Sequence, residues 1–249
     1  MKQFRIVISI LAIIFSQGVF SHDENKTPSN WDGSSINLGG ILNTGNTDSS
    51  SLTGALKLLY SKDRWTNTFN LDGQYGRDDG ETNAQMYSIE NKTQYSLNSI
   101  TTMNNFVYLD TDTTVNSFSS YDFTSTLTAG YGRDWIKNDK HTLSTSVAPG
   151  YNQSSVQNSN TITDSWAAVG SINYAWIFSS STKLSEDTKF SFFETYWQTT
   201  STSSISNKLN SKLSLLLSYS ITYYSKIPEG TDFTDKMNTI TNISLAYAL

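Results

Sequence analysis

The stretch from Trp31 to Gly80 constrains the chain most, because its apolar residues recur at every second position. From Ser50 to Lys62, Leu52, Gly54, Leu56, Leu58 and Tyr60 share one face, and Thr53, Ala55, Lys57, Leu59 and Ser61 share the other. After a tight Lys62-Asp63 turn, Trp65, Phe69, Leu71 and Tyr75 (with Asn67 and Gly73 between them) alternate with Thr66, Thr68, Asn70, Asp72 and Gln74. Successive side chains of a strand point to opposite sides, so a period of two with one greasy and one polar face marks a half-buried strand. The pattern continues to the last residue and predicts about twelve antiparallel strands, an even number of the kind that single-chain membrane barrels use.

The first strand is expected near Ser34–Thr44, with Ile36, Leu38, Gly40 and Leu42 outward, and the fourth near Gln85–Leu97. The sixth (Tyr121–Trp135), the seventh (His141–Val156) and the eighth, from Trp166 to Phe178, alternate clearly. The fifth, near Thr101–Thr111, has an open phase because Phe106 and Tyr108 oppose Met103, Val107 and Leu109. The ninth, Lys183–Gln198, is open too, since Phe192 and Phe193 compete; the last three run near Ser203–Asn210, Leu213–Lys226 and Met237–Leu249. Pro149 falls mid-strand, where it removes a ladder hydrogen bond, so a bulge is expected there.

Connections are expected to alternate in length. Lys62-Asp63, Asn98-Ser99, the run from Lys137 to Lys140, Ser179 to Ser181 and Asn210-Ser211 read as short turns. Longer polar segments fall at Asn43–Ser49, Arg77–Asn83, Asp112–Ser120, Gln157–Asp164, Thr199–Thr202 and Ile227–Asp235. Short periplasmic turns opposite longer outer loops build outer-membrane barrels and leave both termini in the periplasm. Aromatics group in the same way. Trp31, Trp65, Trp135, Trp176 and Phe178 lie by the short turns, and Tyr75, Tyr121, Tyr151, Trp166 and Tyr223 by the loops, as two interfacial girdles would.

Several motifs in order resemble one family. Trp31-Asp32-Gly33-Ser34 and Leu42-Asn43-Thr44-Gly45-Asn46-Thr47-Asp48 look like the opening of the domain of unknown function 481. Lys62 to Trp65, Tyr75 to Glu81, His141 to Leu143, Ala148 to Tyr151 and Ile227 to Gly230 are similar to it in the same order, so the resemblance covers residues 31–249. It implies a salt-induced, porin-like outer-membrane protein related to salt or osmotic stress. It carries over neither a substrate nor catalytic residues.

Residues 1–21 read as a signal peptide: Lys2 and Arg5 precede an apolar core from Ile6 to Phe15, too short for the ~20 residues of a spanning helix. His22 to Asn30 is expected to be a flexible periplasmic tail, and 31–249 the barrel. The chain carries a net charge of −5, which loss of Lys2 and Arg5 takes to −7, the wrong sign for a nucleic-acid partner. Mean hydropathy is −0.40, too polar for a helical bundle yet suited to strands with one face in lipid. With no cysteine, neither disulfides nor thiolate metal sites arise.

The sequence nominates no catalytic, cofactor or metal residues. Lumen-lining candidates are Lys57, Asp72, Glu90, Lys92 and Asp122, with Asp110, Asp187 and Lys189 joining them if the open phases resolve inward. Expected partners are outer-membrane lipid, the barrel-assembly machinery, and ions or small solutes, with the barrel a monomer. Ile243, Leu245, Tyr247 and Leu249 share one face and look like a terminal assembly signal, departing from the usual pattern by ending in Leu. The leading reading is therefore a structural barrel or narrow passive channel, without enzymatic activity. Two alternatives stand beside it: a barrel-embedded envelope hydrolase with His141 as general base, and a soluble secreted β-protein with the greasy face turned inward.

Overall fold

The computed structural model describes residues 29–44, 49–78, 81–97, 104–119, 121–157, 162–227 and 235–249. Residues 1–21 and most of the expected tail lie outside them, as do Asn98-Ser99, Asp79 and Gly80.

Alternation along the chain becomes twelve antiparallel strands. They are β1 (Ser35–Thr44), β2 (Ser49–Lys62), β3 (Trp65–Asp78), β4 (Glu81–Ser96), β5 (Asn104–Asn116) and β6 (Tyr121–Lys137). The second half comprises β7 (His141–Val156), β8 (Ile162–Ile177), β9 (Thr182–Phe193), β10 (Trp197–Lys208), β11 (Leu213–Tyr224) and β12 (Met237–Ala248). Each strand pairs with its sequence neighbours, and β1 with β12 closes the sheet, so no edge stays open. Ser35 lies opposite Ala248 at the seam, and Leu249 N–H donates to Ser34 O at 3.1 Å.

Register settles which face is which. Leu56 pairs with Leu71 and Leu71 with Ile89, whereas Lys57 pairs with Asn70 and Asn70 with Glu90. The apolar set points outward: Leu52 is 75% exposed, Val147 61% and Trp166 71%. A soluble protein would bury that face, so the alternative of a soluble β-protein is set aside. The outside is a lipid-facing belt, and the chain is a transmembrane β-barrel. Val147→Arg, which places a charge at mid-strand in this belt, is expected to cost about 2–4 kcal/mol. Unfolding by urea from lipid vesicles would measure it, and Thr202→Lys, facing the lumen, should cost far less.

The aromatic girdles are present with one exception. Outward rings pair near the termini as Trp31–Tyr60 at 4.9 Å, Trp65–Tyr95 at 4.8 Å and Trp176–Phe178 at 5.1 Å. At the far end they pair as Tyr151–Trp166 at 6.0 Å and Trp197–Tyr223 at 5.4 Å. Tyr121 leaves its expected place: it turns inward at a register shift between Tyr121 and Phe123.

Other expectations shift for local reasons. Register is unchanged across Pro149, whose pairing with Ala168 on β8 continues, so no bulge forms there. The irregularities of β6 against β7 fall instead at Tyr121/Phe123 and Asp134/Ile136. Connection lengths do not alternate as expected. Only residues 79–80 separate β3 from β4, while residues 97–103 join β4 to β5 at the opposite end. Polar runs rich in Thr and Ser read as loops yet pair as strands, since β-branched residues suit the pleat whatever their polarity. Thr199–Thr202 lies inside β10, and the connection before it is 194–196. Asn30, expected in the free tail, is held: its carbonyl accepts from Ser61 N–H at 2.7 Å.

One part of the belt is polar. Glu186 of β9 lies on the outward face opposite Tyr174, and the Ser201 and Ser203 hydroxyls of β10 donate to its carboxylate. Satisfying both oxygens locally lowers the penalty of an acid at the lipid face.

Candidate functional site: the charged lumen

The register fixes the open phases. On β5, Phe106, Tyr108, Asp110 and Asp112 point inward and Val107 and Leu109 outward. On β9, Asp187, Lys189 and Phe193 point inward and Phe192 outward. Four of the five lumen candidates therefore take lumen positions, and Asp110, Asp187 and Lys189 join them. Asp122 sits at the β6 bulge, with no register partner on β7.

These charges form one belt rather than a scatter. Lys92 stands opposite Asp110, and Glu90 opposite Asp112, as direct cross-strand pairs of β4 and β5. Asn70 of β3 donates to Glu90 Oε2 at 2.6 Å, which ties the belt back toward Lys57. Lys92 Nζ lies 4.4 Å from the centre of the Tyr108 ring, a cation–π contact that holds the ammonium against the wall. The Asp110 Oδ1 atom accepts no protein hydrogen bond.

The decisive contact crosses the barrel. Lys189 Nζ on β9 reaches Asp112 Oδ2 on β5 at 3.0 Å, although three strands separate β9 from β5 around the shorter arc of the wall. Both side chains keep lumen exposure, 41% and 33%, so water wets the pair and its contribution to stability is modest. Its geometric effect is larger, because it divides the bore. Sequence reasoning missed Asp112, which it placed at the edge of a loop; only the length of β5 brings it into the belt.

Glycines make room for large inward rings on the same wall. Phe106 and Tyr108 lie over Gly132 and Gly130 of β6, where an added Cβ would come within 2.2 Å of the Phe106 ring and 2.8 Å of the Tyr108 ring. With no side chain on β6 in the way, the Tyr108 hydroxyl comes within 3.3 Å of Ser146 Oγ on β7. Phe106, Tyr108 and Ala148 form a small buried cluster that stiffens this arc.

At the far end, the short connection after β9 folds inward. Tyr196 stacks on Tyr121 at 5.5 Å and lies 4.7 Å from Phe193, making a second cross-lumen contact above the ion pair. Burial, followed by the nearby Tyr121 phenol, raises the pKa of Tyr196 well above its ordinary range, so it stays a neutral hydrogen-bonding group.

His141, the base of the hydrolase reading, faces outward near the termini. Its Nδ1 lies 2.9 Å from the Tyr174 hydroxyl, and its ring stacks on Tyr174 and Trp176. The observed partner is a phenol in the lipid-facing girdle rather than the serine that an acyl-transfer site requires.

A closed barrel with an apolar exterior and a charged bore belongs to the class of outer-membrane β-barrels. The chain is a member of the family described as "Protein of unknown function, DUF481", whose model matches residues 36–249. It is 24% identical over 219 residues to "Uncharacterized protein YdiY" of Escherichia coli (strain K12), covering 86% of this chain and 82% of that one. Among solved structures, the fold is similar to the NanC porin, with a TM-score of 0.59 at 10% identity over 86% of this chain and all of that one. It also resembles an outer membrane channel from Pseudomonas putida F1, with a TM-score of 0.55 at 14% identity over 92% of this chain and 100% of that one. These likenesses concern the fold.

Proposed function

We propose that the barrel is a narrow passive channel of the bacterial outer membrane that passes small polar solutes and prefers cations. The observation that carries this reading is the cross-lumen Lys189–Asp112 pair, set within a belt whose carboxylates outnumber its lysines. Asp72, Glu90, Asp110, Asp112 and Asp187 face Lys57, Lys92 and Lys189. Lys183 shares the inward face of β9 with Asp187 and reduces the surplus without reversing it. The surplus is negative, and a narrow low-dielectric passage magnifies nearby charge. Porin-like folds among the structural neighbours support a channel role.

In this reading residues 1–21 direct export, the termini lie in the periplasm, and the barrel works as a monomer after insertion by assembly machinery. The relation to salt or osmotic conditions comes from the family resemblance alone; no feature of the lumen adds to it.

Planar-bilayer recording of refolded protein tests the proposal. Small stable steps with a reversal potential on the cation side are expected. Lys57→Glu or Lys92→Glu should push that potential further toward cations, and Asp72→Asn should move it back. Asp63→Asn, in the exposed turn between β2 and β3, should do little, because exposed charge is screened within about 10 Å at moderate salt. Well-folded protein that gives no steps would overturn the channel reading.

A further inference from the structure

Beyond the Lys189–Asp112 pair the bore opens into a cavity of about 270 Å³ at the end away from the termini. That volume is just below the usual range for small-molecule sites, which begins near 300 Å³. From its lining we infer that the cavity is a binding vestibule for a neutral, polyhydroxylated solute the size of one sugar ring. The inference deepens the channel reading and relies on it only for how solute arrives.

Three features of the lining converge on that class. The first is aromatic surface: Tyr121 stacked on Tyr196, with Phe193 tilted against Tyr196, encloses one side. Ring faces carry partial negative charge and accept the C–H face of a pyranose, which a flat amide does not offer.

The second is hydrogen-bonding capacity of both signs. Thr126 donates to Asn152 Oδ1 at 2.9 Å, which leaves the amide NH₂ of this nearly buried residue as the end still able to donate. Gln74 is arranged in the opposite sense. Its Nε2 donates to Ser51 Oγ at 2.7 Å, which leaves the carbonyl oxygen to accept. Gln198 supplies a further amide in the same cavity. Hydroxyl groups both donate and accept, so a polyol satisfies such a mixed set. A hydrocarbon would leave these groups unpaired, at a cost of about 1–3 kcal/mol for each buried one.

The third is charge. Among the described residues that line the cavity, only Asp112 and Lys189 are charged, and they neutralise each other at 3.0 Å. A cation or anion entering here meets no uncompensated counter-charge, whereas a neutral polyol can bond to either member of the pair. The ion pair thus serves as the floor of the vestibule and as the constriction below it.

Saturation-transfer NMR on the refolded barrel in detergent micelles tests this without requiring conduction. The probes are D-glucose, choline, D-glucuronate and benzyl alcohol. Transfer to the glucose ring protons should exceed that to each of the other three severalfold. It should fall severalfold in Tyr121→Ala and again in Gln198→Ala, the latter removing no packing ring, and stay unchanged in Leu217→Ala on the lipid face. Heat-modifiable migration on gels confirms that each variant is folded. Glucose transfer no greater than that of choline, glucuronate or benzyl alcohol would overturn the inference, as would transfer that survives in both vestibule variants. Single-channel steps without glucose transfer would overturn it while leaving the channel reading; glucose transfer without steps would support the vestibule and remove the channel.

Discussion

Lys189→Ser should raise single-channel conductance severalfold and shift the reversal potential strongly toward cations. Lys189 is the residue that reaches across the bore, and its Nζ sits 3.0 Å from Asp112 Oδ2. Shortening it removes the obstruction and one positive charge together, leaving Asp110, Asp112 and Glu90 to Lys92 alone on that side. Lys189→Gln separates the two effects. It keeps most of the length and loses the charge, so it should reproduce the selectivity shift with a smaller gain in conductance. Asp112→Asn should move selectivity the other way, and the double variant should deviate from the sum of the singles, since contacting residues couple. Because the pair is wetted, the urea midpoint of Lys189→Ser should change little. Wild-type conductance and reversal potential in Lys189→Ser would show that the constriction lies elsewhere.

Gly130→Val should prevent normal folding. A Cβ at this position would stand 2.5 Å from Ala148 Cβ, 2.5 Å from the Val147 carbonyl oxygen and 2.8 Å from the Tyr108 ring. Two of those atoms are fixed by the β7 backbone, and Ala148 is wholly buried, so the strain cannot be relieved by turning one flexible side chain. Overpacking usually costs 1–3 kcal/mol; with backbone in the way, about 3 kcal/mol or more is expected. The fraction that refolds to the heat-resistant compact form on gels should collapse. Gly54→Ala is the control. It sits on the lipid face, where the nearest atom outside its chain neighbours is Leu38 Cδ2 at an ordinary 3.6 Å, and it should refold like wild type. Equal refolding of the two variants would mean that the rings over Gly130 and Gly132 are not part of the folded wall.

Much of the architecture was written in the alternation. The strands of the first half, the outward face of β2, β3, β6 and β8, and the lumen positions of Lys57, Asp72, Glu90 and Lys92 follow from a period of two, because pleating sends neighbouring side chains to opposite faces. Alternation also carries the soluble alternative, and only closure of β1 on β12 with the apolar face outside distinguishes the two. Where both faces are polar, the signal disappears. Ser201 and Ser203 point outward to Glu186 while Thr200 and Thr202 point inward, so β10 was mistaken in part for a loop. Where both faces carry aromatics, as on β5 and at Phe192 and Phe193, the sequence leaves the phase open and pairing with an unambiguous neighbour decides it.

The site itself needed the third dimension. A sequence can place Lys189 on a strand, but not show that strands as far apart in the chain as β5 and β9 meet across a bore. That depends on the radius and stagger set by the whole sheet. The inward turn of Tyr121 depends on a bulge, and a single extra residue in one strand leaves no mark in composition. Alternation thus determined a two-faced sheet with a charged interior, because facing is a local property of each strand. Only closure determined which charges touch, which rings cover glycine and where the bore narrows, because those are distances between strands that no single strand encodes.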